Sequence, residues 1–202
     1  REFLRHQTNA EFGGYRIFDG TRTHIMHNPE ELCDLIFFLK NYEKKKRKKI
    51  HNFLEIGFSS GKLNTILNKF FNFEHIVAID NFTADMSSTD LLANVRRKNL
   101  TLICGTAHKK ENIQIIKKFQ PYDLIFVDAS HDYKGTKKEL DIYSKMLSDS
   151  GILILHDIHS LEYTGVNKAW KEFQHKNNFT YKEFVCRKYF FVCGVGIAIS
   201  KS

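Results

Sequence analysis

The sequence predicts an α/β fold in which a mostly parallel sheet is covered by helices on both faces. Short apolar segments alternate with segments of helical periodicity, which is the order expected of strand–helix–strand units. The apolar segments are nearly continuous runs, as in strands that are buried on both faces. Too few residues for a helical crossover separate the last two segments, so these should pair antiparallel.

The first half of the chain begins with a helix and continues with three strands. The stretch NPEELCDLIFFLK has apolar residues at helical spacing, with Asn28 as the expected cap and Pro29 in the first turn. Three short apolar runs follow, and each is predicted to be a strand: 53–57, 75–80 and 100–104. Helical spacing lies between them, at 63–70 and around Leu91, Leu92 and Val95.

The second half continues the alternation and then breaks it. A fourth strand is predicted at 122–128 and a fifth at 151–156, with a helix between them that has Leu140, Tyr143 and Leu147 on one side. Another helix, with Val166, Ala169, Trp170 and Phe173 on its apolar face, precedes the two closing segments YKEFVC and CGVGIAIS. These two complete a predicted sheet of seven strands, the last of which is antiparallel.

Length and composition favour one domain. A chain of 202 residues, 42% of them hydrophobic, is long enough for one sizeable core. We assign residues 1–48 to an N-terminal segment and helix that cover this core, and residues 49–202 to the main domain. No run approaches the roughly 20 apolar residues of a membrane span, and no signal-peptide block begins the chain. These features predict a soluble, cytoplasmic protein with no membrane partner.

The formal net charge is +8, and the run KKKRKK at 44–49 is its most concentrated part. The run lies between the first helix and the first buried strand, where a solvated connection is expected. Six adjacent cations also suit phosphate groups. A nucleic-acid partner is therefore less favoured but stays open.

The turn EIGFSSG links the first strand of the main domain to its helix. Glycines at 57 and 61 let the backbone approach a ligand without a Cβ in the way. A dinucleotide fingerprint would have glycine in place of Ser59, so a tight pyrophosphate turn is poorly matched. Asp80 ends the next strand, where a carboxylate can accept hydrogen bonds from both ribose hydroxyls. An adenosine-type ligand without a pyrophosphate fits these features.

These motifs resemble those of the class I S-adenosylmethionine-dependent methyltransferases over residues 53–200, about three quarters of the chain. The resemblance implies a Rossmann-like, doubly wound sheet of seven strands and S-adenosylmethionine as cofactor. It places the methionine moiety near Glu55 and Gly57, within a motif that also contains Phe58, Ser59 and Gly61. It places the ribose on Asp80, beside Asn81, and the adenine beside Gly105 and Thr106, and it adds Asp128 to the expected cofactor-binding residues.

Two strands end in carboxylates and imidazoles, in the stretches YDLIFVDASHDYKG and GILILHDIH. The fourth and fifth strands should be neighbours about 4.8 Å apart, so Asp128 and Asp157 should converge at the ligand crevice. Adjacent carboxylates repel each other unless a cation or a shared proton compensates, and oxygen ligands suit Mg²⁺ or Mn²⁺. The alternative is that both residues cap helices or pair with lysines.

The same stretches resemble those of metal-dependent O-methyltransferases of the catechol and caffeoyl-CoA type and of the macrocin and cephalosporin-hydroxylase-like type. The second type has a Glu-Asp pair where this chain has His156-Asp157. Either His156 is not a ligand beside Asp128 and Asp157, or the imidazole favours a transition metal at this site. The sequence leaves both possibilities open.

In the catechol type, a lysine three residues after the strand-end aspartate takes the proton; here that position is His131. The resemblance therefore implies that His131 is a general base beside the catalytic Asp128. Asp132 could raise the pKa of His131 or orient its ring. The alternatives for His131 are a metal ligand and a polar turn residue.

Together these features predict methyl transfer to a hydroxyl of a small molecule, such as a sugar, a catechol or a polyketide. An RNA-directed methyltransferase and a non-catalytic cofactor-binding domain are the alternatives, and a homo-oligomer stays open. The segment THIMHNPEEL also resembles the one that precedes the core domain in the cephalosporin-hydroxylase-like enzymes. It is either a capped helix or a substrate gate with His24 and His27.

Overall fold

The structure is a computed structural model that describes residues 1–15, 25–83 and 88–201. Within these ranges the helices are α1 (Glu2–Arg5), α2 (Pro29–Lys46), α3 (Lys62–Phe70), α4 (Ser88–Val95), α5 (Lys110–Lys117), α6 (Tyr133–Tyr143) and α7 (Thr164–Phe173). The strands are β1 (Asn52–Ile56), β2 (His75–Asp80), β3 (Leu100–Cys104), β4 (Tyr122–Val127), β5 (Leu147–His156), β6 (Phe179–Phe184) and β7 (Val195–Ser200). None of the described helices combines the length and the apolar composition needed to cross a membrane.

The seven strands form one sheet in the order β3-β2-β1-β4-β5-β7-β6. The first five pair in parallel, whereas β7 runs antiparallel to both β5 and β6. This arrangement confirms the predicted Rossmann-like, doubly wound fold. Since β4 and β5 are adjacent, the residues that follow them lie at the same edge of the sheet, as the sequence predicted.

Both faces of the sheet are buried. Phe53 of β1 belongs to a hydrophobic cluster with residues of α2 and α3, while its neighbour Leu54 belongs to a second cluster with residues of α6 and α7. Consecutive strand residues point to opposite faces, so a strand that is covered on both sides needs apolar residues throughout. This explains the continuous apolar runs.

The helix α2 begins as its sequence predicts. The Asn28 side chain accepts hydrogen bonds from the backbone N–H groups of Glu30 and Glu31, and Pro29 occupies the first turn. Residues of α1 and α2 lie in the same hydrophobic cluster as β1 and α3. The N-terminal segment therefore packs on the main core, and the division at residue 48 stays a prediction.

Several elements differ from the prediction: α1 was not predicted, and β6 begins and ends two residues before the predicted segment at 181–186. Leu147 is not on a helix but begins β5, where it pairs with Tyr122. The helix ends at Tyr143 and passes through one 3-10 turn, and Leu147 continues its spacing only by coincidence. The helix α5 was not predicted; its apolar face is short, with Ile116 buried and Ile113 partly buried against the core.

Part of the basic run at 44–49 is paired. Lys48 lies 2.8 Å from a carboxylate oxygen of Asp123 at the start of β4, and Lys49 lies 3.9 Å from Glu43. The Lys48 ammonium also contacts Ser148 near the start of β5. The run is therefore at the edge where the parallel strands begin, opposite the edge where Asp128 and Asp157 lie.

Candidate active site

The turn between β1 and α3 depends on glycine. Gly57 has a φ of +95°, and a Cβ at this position would overlap the backbone carbonyl oxygen of Asp128. The Gly57 N–H donates to the Ile79 carbonyl at 2.9 Å, and the Asp128 N–H donates to the Ile56 carbonyl at 2.7 Å. The ends of β1, β2 and β4 are thus held together at a point where no side chain fits.

The rest of this turn packs on itself. Gly61, with a φ of +74°, begins α3, and the buried Phe58 ring lies where a Gly61 side chain would point. Ser59 is exposed and also has a positive φ, of 48°. Of these two predicted cofactor residues, Ser59 presents its side chain to solvent, whereas Phe58 is buried.

Asp80 ties the turn to the end of β2. One carboxylate oxygen accepts the Ser59 N–H at 2.7 Å and the other accepts the Phe82 N–H at 2.7 Å. A carboxylate oxygen can accept more than one hydrogen bond, so both oxygens keep acceptor capacity for ribose hydroxyls. Asn81 is exposed, and its side chain accepts from Thr83. The ribose role of Asp80 and Asn81 stays a prediction.

The predicted adenine residues follow β3. The Gly105 N–H donates to the Asp80 backbone carbonyl at 2.8 Å, and the Asn112 side chain donates to the Thr106 carbonyl at 2.9 Å. A Cβ on Gly105 would overlap the Asn112 amide. With Asp128 after β4, the structure therefore brings the predicted cofactor residues together from the ends of four neighbouring strands, β3, β2, β1 and β4.

Glu55 differs from the other residues of this motif because it is only 1% exposed. The Asn64 side chain of α3 donates to its carboxyl at 2.7 Å. Burial raises the pKa of Glu55 to about 8, although the Asn64 hydrogen bond and the Arg97 charge oppose the shift. Glu55 thus links β1 to α3, and its placement near the methionine moiety stays a prediction.

We expect Glu55 to make the free energy of unfolding depend on pH. The unfolded carboxyl ionises above its ordinary pKa of 4.5, whereas the folded one stays protonated to about 8. Stability should therefore fall as the pH rises through this window, by roughly 3–5 kcal/mol relative to Glu55→Gln, which cannot ionise. Denaturant unfolding at a series of pH values measures this difference. Glu111→Gln, at an exposed site, is the control, and parallel pH profiles for wild type and Glu55→Gln would show that Glu55 is ionised in the fold.

A histidine–aspartate cluster lies at the ends of β4 and β5; its members are His27, Asp128, His131, His156 and Asp157. His131 Nε2 lies 3.6 Å from Asp128 Oδ1 and 3.4 Å from Asp157 Oδ2. His156 Nδ1 lies 3.5 Å from Asp128 Oδ1 and 3.4 Å from Asp157 Oδ1. The two carboxylates therefore converge as predicted, and neither forms an ion pair with a lysine within the described ranges.

Charges within the cluster shift its ionisation. Burial raises the pKa of Asp128 and Asp157. The nearby imidazoles of His156 and His131 outweigh this effect and hold the pKa of both carboxyls well below the usual range. The carboxylates of Asp128 and Asp157 beside it raise the pKa of His131 to about 10. Burial, followed by the neighbouring His156, lowers the pKa of His27 to about 3. Without a bound cation, His131 is protonated at neutral pH and His27 is not.

The environment of His131 differs from the predicted one. Asp132 does not orient its ring; the Asp132 carboxylate caps α6 by accepting the N–H groups of Lys134 and Gly135, at 2.9 and 3.1 Å. The His131 ring instead lies against Tyr163, with ring centroids 4.2 Å apart. The predicted base therefore faces Asp128 and Asp157, and whether it accepts a proton depends on what neutralises these carboxylates.

The sequence did not predict the contacts of three residues at the site, His27, Glu31 and Cys193. His27, considered for a substrate gate together with His24, lies 3.6 Å from Asp128. The gate stays a prediction, and His24 lies outside the described residues. Glu31 is buried and accepts the N–H groups of Cys186 and Gly194, at 2.7 and 3.0 Å, fixing the β6–β7 connection. Cys193 lies beside His156 and Asp157. An acidic residue in the first turn of a helix, such as Glu31, and a cysteine without a regular spacing, such as Cys193, do not by themselves indicate such contacts.

Comparison with known proteins agrees with this architecture. Residues 54–158, just over half of the chain, match the profile of the family described as a methyltransferase domain. A search of curated protein sequences found no match.

Among solved structures, the chain is similar to an O-methyltransferase from Bacillus cereus in complex with S-adenosylhomocysteine, with a TM-score of 0.62, 16% identity, and 83% of this chain and 81% of that one covered. It is also similar to TomG, an O-methyltransferase of tomaymycin synthesis from Streptomyces achromogenes, with a TM-score of 0.65, 14% identity, and coverage of 100% and 89%. The N-methyltransferase NodS from Bradyrhizobium japonicum gives a TM-score of 0.61 at 15% identity, with 96% of both chains covered. These relatives share the fold and differ in the atom that they methylate. The chain belongs to the methyltransferase-domain family and has the class I fold of S-adenosylmethionine-dependent methyltransferases.

Proposed function

We propose that this chain methylates a hydroxyl group of a small molecule with the help of a divalent cation at the histidine–aspartate cluster. The observation that carries the proposal is the contact between Gly57 of the predicted cofactor turn and the backbone of Asp128. It sets the cluster directly beside the turn. An acceptor held by the cluster would therefore lie next to a cofactor held by the turn, which is what alignment of a displacement requires.

The residues present fit a cation. Asp128 and Asp157 converge on buried His156 Nδ1, at 3.5 and 3.4 Å, without a lysine partner in the described part of the chain. Asp128, Asp157 and His156 would hold the ion, which the sequence predicted to be Mg²⁺ or Mn²⁺. When bound, a divalent ion supplies a Lewis acid that lowers the pKa of a coordinated hydroxyl.

In the proposed reaction, the hydroxyl oxygen forms a bond to the methyl carbon as the carbon–sulfur bond breaks. The electron pair of that bond goes to sulfur, and the hydroxyl proton goes to His131. This role requires a neutral imidazole, and positive charge beside Asp128 and Asp157 removes the interaction that keeps His131 protonated. Tyr163 holds the ring from its other side.

The two alternatives have less support. An RNA substrate would use the basic run at 44–49, but this run lies at the edge of the sheet opposite the cluster. A domain that binds cofactor without turnover would have no need for two converging carboxylates next to the cofactor turn.

Two experiments test this proposal, one on cofactor binding and one on methyl transfer. The protein should bind S-adenosylmethionine in calorimetry, and Asp80→Ala should weaken binding by about 10- to 150-fold, or roughly 1.5–3 kcal/mol. Asp141→Ala, on the surface of α6, is the control. With labelled cofactor, methyl transfer to a panel of catechols, sugars and polyketide glycosides should stop in chelator and return with a divalent cation.

Each experiment can fail separately. Equal affinity in wild type and Asp80→Ala, or tight NAD binding instead, would reject the assigned cofactor site. Full turnover in excess chelator would reject the cation and leave methyl transfer standing.

A further inference from the structure

His27 reaches the histidine–aspartate cluster from outside the core of the methyltransferase domain. It directly precedes Asn28, the cap of α2, so the start of this helix fixes its backbone. Its ring is 6% exposed, contacts the edge of Phe126, and has Nε2 3.6 Å from Asp128 Oδ2. The N-terminal segment therefore places a buried imidazole on the carboxylate oxygen that faces away from His131.

His27 and His156 form a pair of buried imidazoles on Asp128. Their ring centroids are 3.9 Å apart with a tilt of 44°. One donor atom each from His27, Asp128 and His156 can be chosen so that all lie within 4.8 Å of one another. His156 meets Asp128 through its Nδ1 atom, at 3.5 Å, and its Nε2 atom is buried without a hydrogen-bond partner in the described residues.

The distances in the cluster suit donors around one ion better than hydrogen bonds. The N···O distances between imidazoles and carboxylates of the proposed ligands lie between 3.4 and 3.6 Å. Charge-assisted hydrogen bonds are usually about 2.7–2.9 Å long. Two ligands that are each about 2.1 Å from a metal ion are about 3.0–3.4 Å apart in octahedral to tetrahedral geometry. A small inward movement of the side chains would complete such a site.

We infer that His27 joins Asp128, Asp157 and His156 as a ligand of the cation, and that a set with two imidazoles selects a first-row transition cation over Mg²⁺. The inference rests on the cation site of the proposed function and names its metal class and its N-terminal ligand. Imidazole suits Fe²⁺, Co²⁺, Ni²⁺ and Zn²⁺, whereas Mg²⁺ prefers oxygen ligands and retains its waters. Two imidazoles beside the two carboxylates therefore disfavour Mg²⁺.

The test measures metal binding directly. Protein stripped with chelator is titrated with Co²⁺, Zn²⁺ and Mg²⁺ in calorimetry, and the Co²⁺ titration is also followed by visible absorption. Co²⁺ and Zn²⁺ should bind at least about tenfold more tightly than Mg²⁺. His27→Phe keeps a ring beside Phe126 and removes the nitrogen donor, so it should weaken Co²⁺ binding at least about tenfold.

His75→Phe, the same substitution at an exposed histidine at the start of β2, is the matched control and should not change binding. If His27→Phe does not fold, X-ray absorption at the zinc edge of the loaded wild type should still show at least two imidazole ligands. Unchanged Co²⁺ affinity in folded His27→Phe, or an all-oxygen shell around zinc, would overturn the inference. So would Mg²⁺ binding as tight as Co²⁺ binding. Methyl transfer supported by Mg²⁺ in such a case would leave the proposed function intact, so the two failures are distinguishable.

Discussion

Asp157→Asn should lower the turnover of the proposed methyl transfer at least about a hundredfold, equivalent to about 2.7 kcal/mol of transition-state stabilisation. Asp157 has a φ of 61°, and its carboxylate lies 3.4 Å from both His131 Nε2 and His156 Nδ1. Asparagine tolerates the left-handed conformation and has nearly the same shape as aspartate. The substitution therefore removes the charge that the cation needs and keeps the backbone.

The measurement is steady-state turnover together with calorimetric binding of cofactor and cation. Cation affinity should fall with turnover, whereas cofactor affinity should be retained because Asp157 is not among the predicted cofactor residues. Asp149→Asn is the matched control, since Asp149 is exposed near the opposite end of the same strand. Wild-type turnover in Asp157→Asn would remove Asp157 from the mechanism.

Gly57→Ala should destabilise the fold by about 2–4 kcal/mol and reduce turnover as well. A Cβ at this position meets the backbone oxygen of Asp128, and a residue other than glycine is strained at a φ of +95°. A backbone oxygen cannot move away as a side-chain end can, so the end of β4 must shift and carry Asp128 with it. For a chain of this length, the loss corresponds to a decrease of about 5–15 °C in Tm.

Ser59→Gly provides the contrasting control two residues away. Ser59 has a φ of 48°, which glycine adopts without strain, and its contact with Asp80 uses the backbone N–H. Its stability and cofactor binding should therefore stay within about 1 kcal/mol of wild type. Thermal unfolding and calorimetry of both variants test the pair. A Tm for Gly57→Ala equal to that of wild type would show that the turn and the end of β4 are not rigidly coupled.

The amino-acid sequence by itself determined the sheet and the position of the site along its edge. The apolar runs of β1, β2, β3 and β4 coincide with the observed strands to within one residue at each end. Once the sheet is parallel, residues directly after its strands must share one edge, which is why Asp80, Asp128 and Asp157 could be named in advance. This information is local, because periodicity records which face of an element each residue occupies.

Only the tertiary structure decided what faces these residues. His27 comes from the segment before α2 and meets Asp128, a contact that no spacing in either segment encodes. The same holds for Glu31, whose first-turn position suggests a surface acid but which binds the β6–β7 connection. His131 was predicted from its distance along the chain to Asp128, yet its protonation depends also on Asp157 from another strand. The position of a side chain on its own helix or strand is fixed by local sequence, whereas its pKa and its ligands depend on charges and donors that the fold brings from elsewhere.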